Sequence, residues 1–312
     1  EMHNLGATKN LKSLPVTATF RLGLSATPVR RGDEQGTKAL EDYFGPEAIR
    51  FELKDAIENG FLCPYDYFPI LVQLTDDEME AYLELSIQIA NIWGSDHDAD
   101  NGPSDKLKWL LLERARLIGG AENKFHELLP IISQDPDKAY NLVYCSDAKD
   151  PQTEERQVER AVRIISTEAH MRANKFTAGE SPKQRKELLS DFEAGRLQVL
   201  VAIRCLDEGV DVPRTETAYI LASSTNPRQF IQRRGRVLRR ANGKTKATIY
   251  DFVTVPDLDD IRHQGNNVFN IERGMVAREL ERVNEFANLS LNKGESLRRL
   301  REIRQKLNLM DM

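Results

Sequence analysis

The chain has 312 residues, a length that predicts about two domains. Hydrophobic residues make up 40% of it and charged residues 30%, so it can bury a core and keep a solvated surface. Its net charge of -5 excludes a protein that coats nucleic acid through overall basicity, and any such contact must be local.

The chain shows no targeting segment. No apolar run approaches the roughly 20 residues that cross a bilayer, and the first four residues lack the basic start and apolar core of a signal peptide. A chain that opens with Glu is expected to be a fragment or a processed product. Three well-separated cysteines without a CxxC pair (Cys63, Cys145, Cys205) predict buried free thiols rather than zinc or disulfides. We therefore expect a cytoplasmic protein without membrane contact.

Short apolar runs rich in β-branched residues predict buried strands. They are Arg21 to Ser25, Asn141 to Cys145, Gln198 to Ala202, Thr217 to Leu221 and Ala247 to Asp251. Helical patterns lie between them, at Glu154 to Ile165, Pro182 to Glu193 and Pro227 to Arg233. Ser181 and Pro182 are typical of a helix start, with Ser as the N-cap. Alternating strands and helices predict an α/β fold, with a parallel sheet covered by helices on both faces.

Two stretches depart from this alternation. Residues 76 to 132 are helical and highly charged, with a polar break over residues 94 to 105 that predicts an exposed loop. Trp93 and Trp109 in this stretch are predicted to be packing anchors. From about Asp257 the pattern is helical again and rich in Arg and Glu.

The strongest functional signal is the ordered pattern Q-x-x-G-R-x-x-R over Gln232 to Arg239. On a helix, Gln232, Arg236 and Arg239 are four and three residues apart and share one face. Two guanidinium groups there offer forked donors that suit phosphate oxygens. The plainer alternative is a solvated basic surface.

A second signal precedes it by about twenty residues. The loop Glu208 to Pro213 follows a predicted strand that ends at Ala202. Loops at the carboxyl ends of parallel strands are where open α/β sheets bind ligands. Gly209 lets the backbone approach a ligand closely, and Asp211 offers a carboxylate to ribose hydroxyls or to an arginine. Taken alone, this segment is an ordinary turn.

Together these segments resemble the motifs of superfamily 2 DExH-type helicases and translocases, in the order of that family. Gln232 to Arg239 resembles motif VI, Ala202 to Pro213 motif V, Leu24 to Pro28 motif III, Asn141 to Asp147 motif IV, and Phe176 to Glu180 the T-G segment. The resemblance implies a RecA-like second helicase domain over residues 135–256. It also implies a remnant of the first RecA-like domain over 1–60, a crossover strand and helical insertion over 61–134, and a helical tail over 257–312.

The resemblance also implies roles in ATP hydrolysis. Glu1 matches the residue that polarises the attacking water in the D-E-x-H box, and His3 matches the one that relays to motif VI. The aspartate that would hold Mg²⁺ would precede Glu1. Arg236 and Arg239 match the arginine fingers, and Gln232 matches the sensor of the same phosphate. Ser25 and Thr27 belong to the coupling motif, whereas Arg233, Arg234 and Arg240 match no required contact and are expected to form salt bridges or line a groove.

For nucleic acid, the resemblance places Thr177, Ile203 and Arg204 near the backbone of one strand. Many relatives carry a hydroxyl residue where Ile203 stands. The forms of motifs V and VI favour restriction-enzyme motors and excision-repair translocases, and hence double-stranded DNA, with restriction or repair subunits as partners. The alternative is a helicase-derived module that binds nucleic acid or a partner without hydrolysing ATP, because the chain lacks a G-x-x-x-x-G-K-[ST] loop.

Overall fold

The computed structural model describes residues 2–25, 28–30, 33–93, 104–149, 153–203, 212, 214–222, 227–256 and 266–310. Its centre is one six-stranded sheet in the order β1-β6-β5-β2-β4-β3, and every neighbouring pair is parallel. The strands are β1 Tyr65–Gln73, β2 Asn141–Tyr144, β3 Ala173–Phe176, β4 Val199–Ala202, β5 Thr217–Ile220 and β6 Ala247–Val255. The predicted parallel α/β fold is confirmed.

Helices precede, interrupt and follow the strands. After a 3-10 helix at Met2–Gly6, the first five are α1 Thr8–Leu11, α2 Glu34–Phe44, α3 Leu53–Glu58, α4 Asp76–Trp93 and α5 Asp105–Gly120. The next four are α6 Asn123–Ile132, α7 Gln157–Thr167, α8 Pro182–Glu193 and α9 Pro227–Val237. The tail holds α10 Asn266–Asn288, α11 Lys293–Arg299 and α12 Arg301–Lys306. Among the described residues, no helix combines the length and apolarity that a membrane crossing needs.

The side chains of the central strands alternate between two cores. Leu142 and Tyr144 of β2 face a core formed with α8 to α12, and Val143 and Cys145 face a core formed with α6 and α7. Because both faces are covered, the strand sequences are continuously apolar rather than alternating. The predicted burial of the thiols of Cys63 and Cys145 is confirmed, whereas Cys205 lies outside the described residues.

The start of α8 follows its sequence signal closely. Ser181 Oγ accepts from the backbone N–H of Gln184, and the Gln184 side chain accepts from the backbone N–H of Ser181 at 2.9 Å. This capping box satisfies two N–H groups that have no partner within the helix. The helix begins at Pro182 and ends at Glu193, as predicted.

The predicted strand over Arg21 to Ser25 is wrong. These residues have no strand partner in the described part of the chain, and they run as an irregular segment. Phe20, Leu22 and Leu24 are largely exposed, with 94% of Phe20 accessible to solvent. The apolar pattern was correct for a strand, but the segment has no neighbouring strand with which to form a ladder.

The helical insertion forms a hairpin of α4 and α5, with its own small core of Ile89, Leu107 and Leu110. The prediction that Trp109 is a packing anchor is wrong, because 57% of its surface is exposed. Trp93 and the loop predicted over residues 94 to 105 cannot be compared in the same way. The side chain of Trp93 and residues 94–103 lie outside the described part of the chain, while Ser104 already caps α5 by accepting from the N–H of Leu107.

The C-terminal helices belong to the main core. Val283 and Phe286 of α10 and Leu300 and Ile303 of the following segments are fully buried against the sheet. A buried ionic network fixes α10 further, since Arg282 donates to both carboxylate oxygens of Asp251 in β6 at 3.0 Å. Burial alone lowers the pKa of Arg282, but the nearby carboxylates raise it overall, so the guanidinium stays charged.

Candidate functional site

Helix α9 carries most of the basic motif, and we call it the arginine helix. Gln232 and Arg236 lie on it, but Arg239 does not, because the helix ends at Val237. The prediction that one helix presents all three residues is therefore wrong for Arg239. The chain turns there to form an isolated antiparallel bridge between Arg239 and Leu62. The backbone N–H of Cys63 also donates to the carbonyl of Leu238 at 2.8 Å. Backbone bonds to residues 62 and 63 therefore hold the chain where it leaves the helix.

Despite this break, the predicted residues converge on one cleft of about 1020 Å³. Gln232, Arg236 and Arg239 line one wall of it, and each is partly buried. Ser25, Pro28 and Val29 line the other wall, together with a segment over residues 47–54. Two cationic side chains at the border of a cleft of this size suit a polyanionic ligand such as a nucleoside triphosphate.

The other wall carries its own charges. Glu47 and Arg50 form a two-point ion pair, with Arg50 Nε and Nη2 at 2.9 and 2.7 Å from the carboxylate oxygens. The hydrogen bond from Arg50 holds the pKa of Glu47 below its usual value. Because both groups are exposed, the pair contributes little to stability. It places one positive and one negative group on the lining of the cleft.

His3 is placed against Ser25. The imidazole of His3 is buried, and its Nδ1 shares a hydrogen bond of 2.8 Å with Ser25 Oγ. The guanidinium of Arg30 donates to the carbonyl of His3 and also to Asp33. Asp33 caps α2 by accepting from the N–H of Gly36 at 2.7 Å, and this bond and Arg30 lower the pKa of Asp33. The start of the chain and the Ser25 segment therefore form one hydrogen-bonded unit.

Lys244 supports the end of the arginine helix, and sequence reasoning missed it. It lies in the tripeptide Gly243-Lys244-Thr245, which resembles the end of a phosphate-binding loop but has Leu238 where that pattern needs a first glycine. Lys244 is buried, and its Nζ donates to the carbonyls of Val237 and Arg239 at 2.5 and 2.9 Å. It thus caps the arginine helix and the turn that follows, a role for which sequence spacing gives only a weak signal.

The remaining arginines of the motif were expected to form salt bridges or to line a groove. Arg234 forms an ion pair of 2.6 Å with Glu285, confirming a salt bridge. Arg233 is buried, donates to the carbonyl of Ala222 at 3.0 Å and lies over the ring of Tyr144. Arg240 is exposed and donates to the carbonyl of Gly60 at 2.9 Å.

The candidate nucleic-acid residues lie at the carboxyl ends of adjacent strands. Thr177 follows β3, and both its hydroxyl and its backbone N–H donate to the carboxylate of Glu180. Ile203 follows β4 and packs against the core shared with α6 and α7. The structure therefore brings the two positions to one edge of the sheet but does not bring their side chains together with the cleft residues.

A smaller cavity of about 400 Å³ lies beside the ends of β2 and β5. Its wall includes Lys124, which is buried and donates to the carbonyls of Ile118 and Leu221, both at 2.6 Å. Burial lowers the pKa of Lys124 to about 8. The ammonium group joins the end of α5 to the end of β5, which the sequence did not reveal.

Five candidate residues lie outside the described part of the chain: Glu1, Thr27, Arg204, Gly209 and Asp211. The described residues contain no group of three or more His, Cys, Asp or Glu side chains that could hold a metal ion.

The described part of the chain thus combines a parallel sheet, covered by helices on both faces, with an arginine helix beside a cleft. Residues 123–241, which are 119 of the 312 residues, match the helicase conserved C-terminal domain family. The match ends just after the arginine helix.

Individual relatives are DNA-acting proteins. The chain is 26% identical over 255 residues to the DNA 3'-5' translocase XPB2 of Sulfurisphaera tokodaii, covering 75% of this chain and 53% of XPB2. It is 24% identical over 266 residues to a protein assigned as DNA 3'-5' helicase Rad25 of Haloarcula marismortui, covering 85% of this chain and 36% of that protein. The chain thus spans about half of one relative and about a third of the other.

Among solved structures, a fragment assigned to the HsdR subunit of a type I restriction enzyme from Vibrio vulnificus YJ016 is similar. It is 21% identical, with a TM-score of 0.48, and the match covers 76% of this chain and 40% of that fragment.

Proposed function

We propose that the chain is the C-terminal part of an ATP-dependent helicase or translocase and supplies one side of its ATP site. The observation that carries this proposal is the convergence of Gln232, Arg236 and Arg239 with Ser25 on one cleft. These residues were selected from sequence motifs that lie more than 200 residues apart. A basic surface helix without a site would have no reason to face the motif III segment.

The chemistry assigned to this cleft is neutralisation of the charge that spreads over a transferring phosphoryl group. Arginine fingers in such sites contribute roughly 10³ to 10⁵ in rate, mainly through positioning and electrostatics. We assign the finger role to Arg236 and Arg239 and the phosphate-sensing role to Gln232. In the proposed motor, Glu1 polarises the attacking water and His3 relays to the arginine helix. We place the Mg²⁺ ligands and the phosphate-binding loop in a part of the motor other than the residues described here.

We propose duplex DNA as the track, contacted through its backbone at the strand ends that carry Thr177, Ile203 and Arg204. Phosphate contacts carry no sequence information, so binding should weaken steeply with salt and depend little on sequence. The side chains of Thr177 and Ile203 are engaged by Glu180 and by the core. The backbone N–H of Thr177 also donates to Glu180, so the contribution of both residues is assigned to the shape of this edge. The relatives XPB2 and the Rad25 protein, both named as DNA 3'-5' enzymes, support the choice of DNA.

The test is an ATPase assay of the natural full-length protein with single-stranded DNA, duplex DNA and RNA. We expect turnover that duplex DNA stimulates most strongly, and we expect the 312-residue chain alone to be inactive. If the full-length protein binds DNA but hydrolyses no ATP with any of the three, the non-hydrolysing binding module replaces the motor. Robust turnover by the 312-residue chain alone would show that the division of the ATP site is wrong.

A further inference from the structure

Arg234 has a different environment from the cleft residues of the arginine helix. Its side chain is fully buried, with 0% exposure, and it bonds to a single residue of α10 through two groups. Nη2 donates to Glu285 Oε1 and Nη1 donates to the Glu285 backbone carbonyl, both at 2.6 Å. Because the guanidinium is planar and both acceptors belong to one residue, the contact fixes distance and rotation together.

The surroundings of Arg234 make this contact rigid. Its guanidinium lies 4.9 Å from the centre of the Phe286 ring, and Nη1 is also 3.4 Å from the hydroxyl of Tyr65 in β1. That hydroxyl donates to the carbonyl of Phe286 at 2.5 Å. Arg234 therefore joins α9, α10 and β1 at one buried point.

The partner helix is itself anchored to the sheet. Three residues before Glu285, Arg282 is bonded to Asp251 of β6 and to Glu279 at 2.7 Å. Residues three apart lie on neighbouring positions of a helix surface. Helix α10 therefore contacts the sheet through Arg282 and the arginine helix through Glu285, one turn later. Glu285 thus belongs to a helix that is anchored to the sheet, and Arg234 bonds the arginine helix to it.

We infer that Glu285 is a positioning residue for ATP hydrolysis: through Arg234, it sets the orientation in which the arginine helix presents Gln232 and Arg236 to the nucleotide. The inference rests on the proposed function. Glu285 and Arg234 both border the cleft, so a shift of this contact moves its wall. Rates of positioned reactions fall steeply with displacement of about an ångström, so loss of the contact lowers turnover.

The primary test is Glu285→Gln in the full-length protein, with DNA-stimulated ATP turnover as the measurement. The amide keeps the size of the side chain but removes the charge that holds Arg234. We expect kcat to fall roughly tenfold or more, while KM for ATP stays within about twofold and the melting temperature shows a folded protein. Glu281→Gln is the matched control, because Glu281 is exposed on the same helix, and its kcat should equal that of the wild type.

A second measurement separates positioning from general damage to the fold. In an Arg236→Ala background, Glu285→Gln should lower kcat by a smaller factor than in the wild type, because one of the two groups that it positions is already missing. A merely structural defect would lower kcat by the same factor in both backgrounds. Equal factors would overturn the inference.

Arg234→Lys tests the same contact from the other side. A lysine keeps the charge but cannot donate in a fixed fork to both the carboxylate and the carbonyl, so kcat should fall with KM unchanged. This variant decides the matter if Glu285→Gln does not fold. If the wild type is active and Arg236→Ala is not, wild-type kcat in the folded Arg234→Lys protein overturns the inference alone. If the wild type hydrolyses no ATP with any nucleic acid, the proposed function fails first.

Discussion

His3 Nδ1 and Ser25 Oγ are joined by a hydrogen bond of 2.8 Å, although 22 residues separate them in the chain. This bond connects the buried start of the chain with a residue that lines the cleft. It is therefore a direct physical link between the two segments assigned to nucleotide chemistry and to coupling.

Ser25→Ala should weaken that link. Net hydrogen bonds of this kind contribute about 1 kcal/mol, so the full-length protein should remain folded. We expect ATP turnover to persist, while the distance moved along DNA per ATP falls several-fold. The reason is that His3, assigned to nucleotide chemistry, is no longer bonded to residue 25 of the coupling segment. Parallel ATPase and translocation assays measure this ratio. Ser13→Ala is the control, since Ser13 is exposed and bonds only locally to the carbonyl of Asn10. An unchanged ratio in Ser25→Ala would contradict the coupling role.

Arg236→Ala and Arg239→Ala should each lower ATP turnover of the full-length protein at least tenfold. Both side chains border the open cleft rather than the core, so melting temperatures should change little. Arg298→Ala is the matched control because Arg298 is an exposed arginine of α11. Wild-type turnover in both cleft variants would remove the finger assignment.

Lys244→Met should destabilise this chain by about 1–3 kcal/mol, because two buried carbonyls at the end of the arginine helix would lose their donor. Urea unfolding followed by circular dichroism measures the change. Lys246→Met is the comparison, since the Lys246 side chain is 57% exposed and its ion pair of 2.6 Å with Asp66 should contribute less than about 1 kcal/mol. Equal effects of the two substitutions would show that Lys244 does not cap the helix.

The stability of the chain should depend on pH through Lys124. Burial lowers its pKa to about 8 from an ordinary value of 10.5, so the unfolded chain binds more protons between these values. Stability from this group therefore rises with pH over that window, by at most about 1.4 kcal/mol per pH unit. Urea unfolding of the wild type and of Lys124→Met between pH 7 and 10 isolates the effect. The free energy of unfolding of the wild type should increase relative to the variant, and a constant difference would show that the pKa is not lowered.

The sequence predicted the central strands well because they are buried on both faces and read as apolar runs. It missed β3, Ala173–Phe176, whose only large apolar residue is Phe176. This strand lies at the edge of the sheet and pairs only with β4, so its polar side chains can reach solvent and weaken the pattern. The opposite error occurs at residues 21–25, where an apolar pattern predicted a strand but no neighbouring strand is described.

Much of the candidate site was also visible in the sequence. The Q-x-x-G-R-x-x-R pattern identified three of the residues that line the cleft. The partners that hold them could not be predicted: Glu285 lies 51 residues from Arg234, and Lys244 reaches back to carbonyls that any residue could supply. Such contacts depend on tertiary packing rather than on local pattern. The roles of all the candidate site residues stay predictions, and Glu1, Thr27, Arg204, Gly209 and Asp211 also lie outside the described residues.

The pairing of the chain at Cys63 with Leu238 has a mechanical consequence. The segment over residues 60–63, which leads into β1, is held by two hydrogen bonds. One is this backbone bond, and the other runs from Arg240 to the carbonyl of Gly60. These bonds hold the segment at a fixed position beside the end of the arginine helix. Ser25 and Glu47, which precede these two bonds in the chain, line the same cleft as Arg239. A rotation of the residues before Gly60 about the bonded segment would therefore change the width of the cleft.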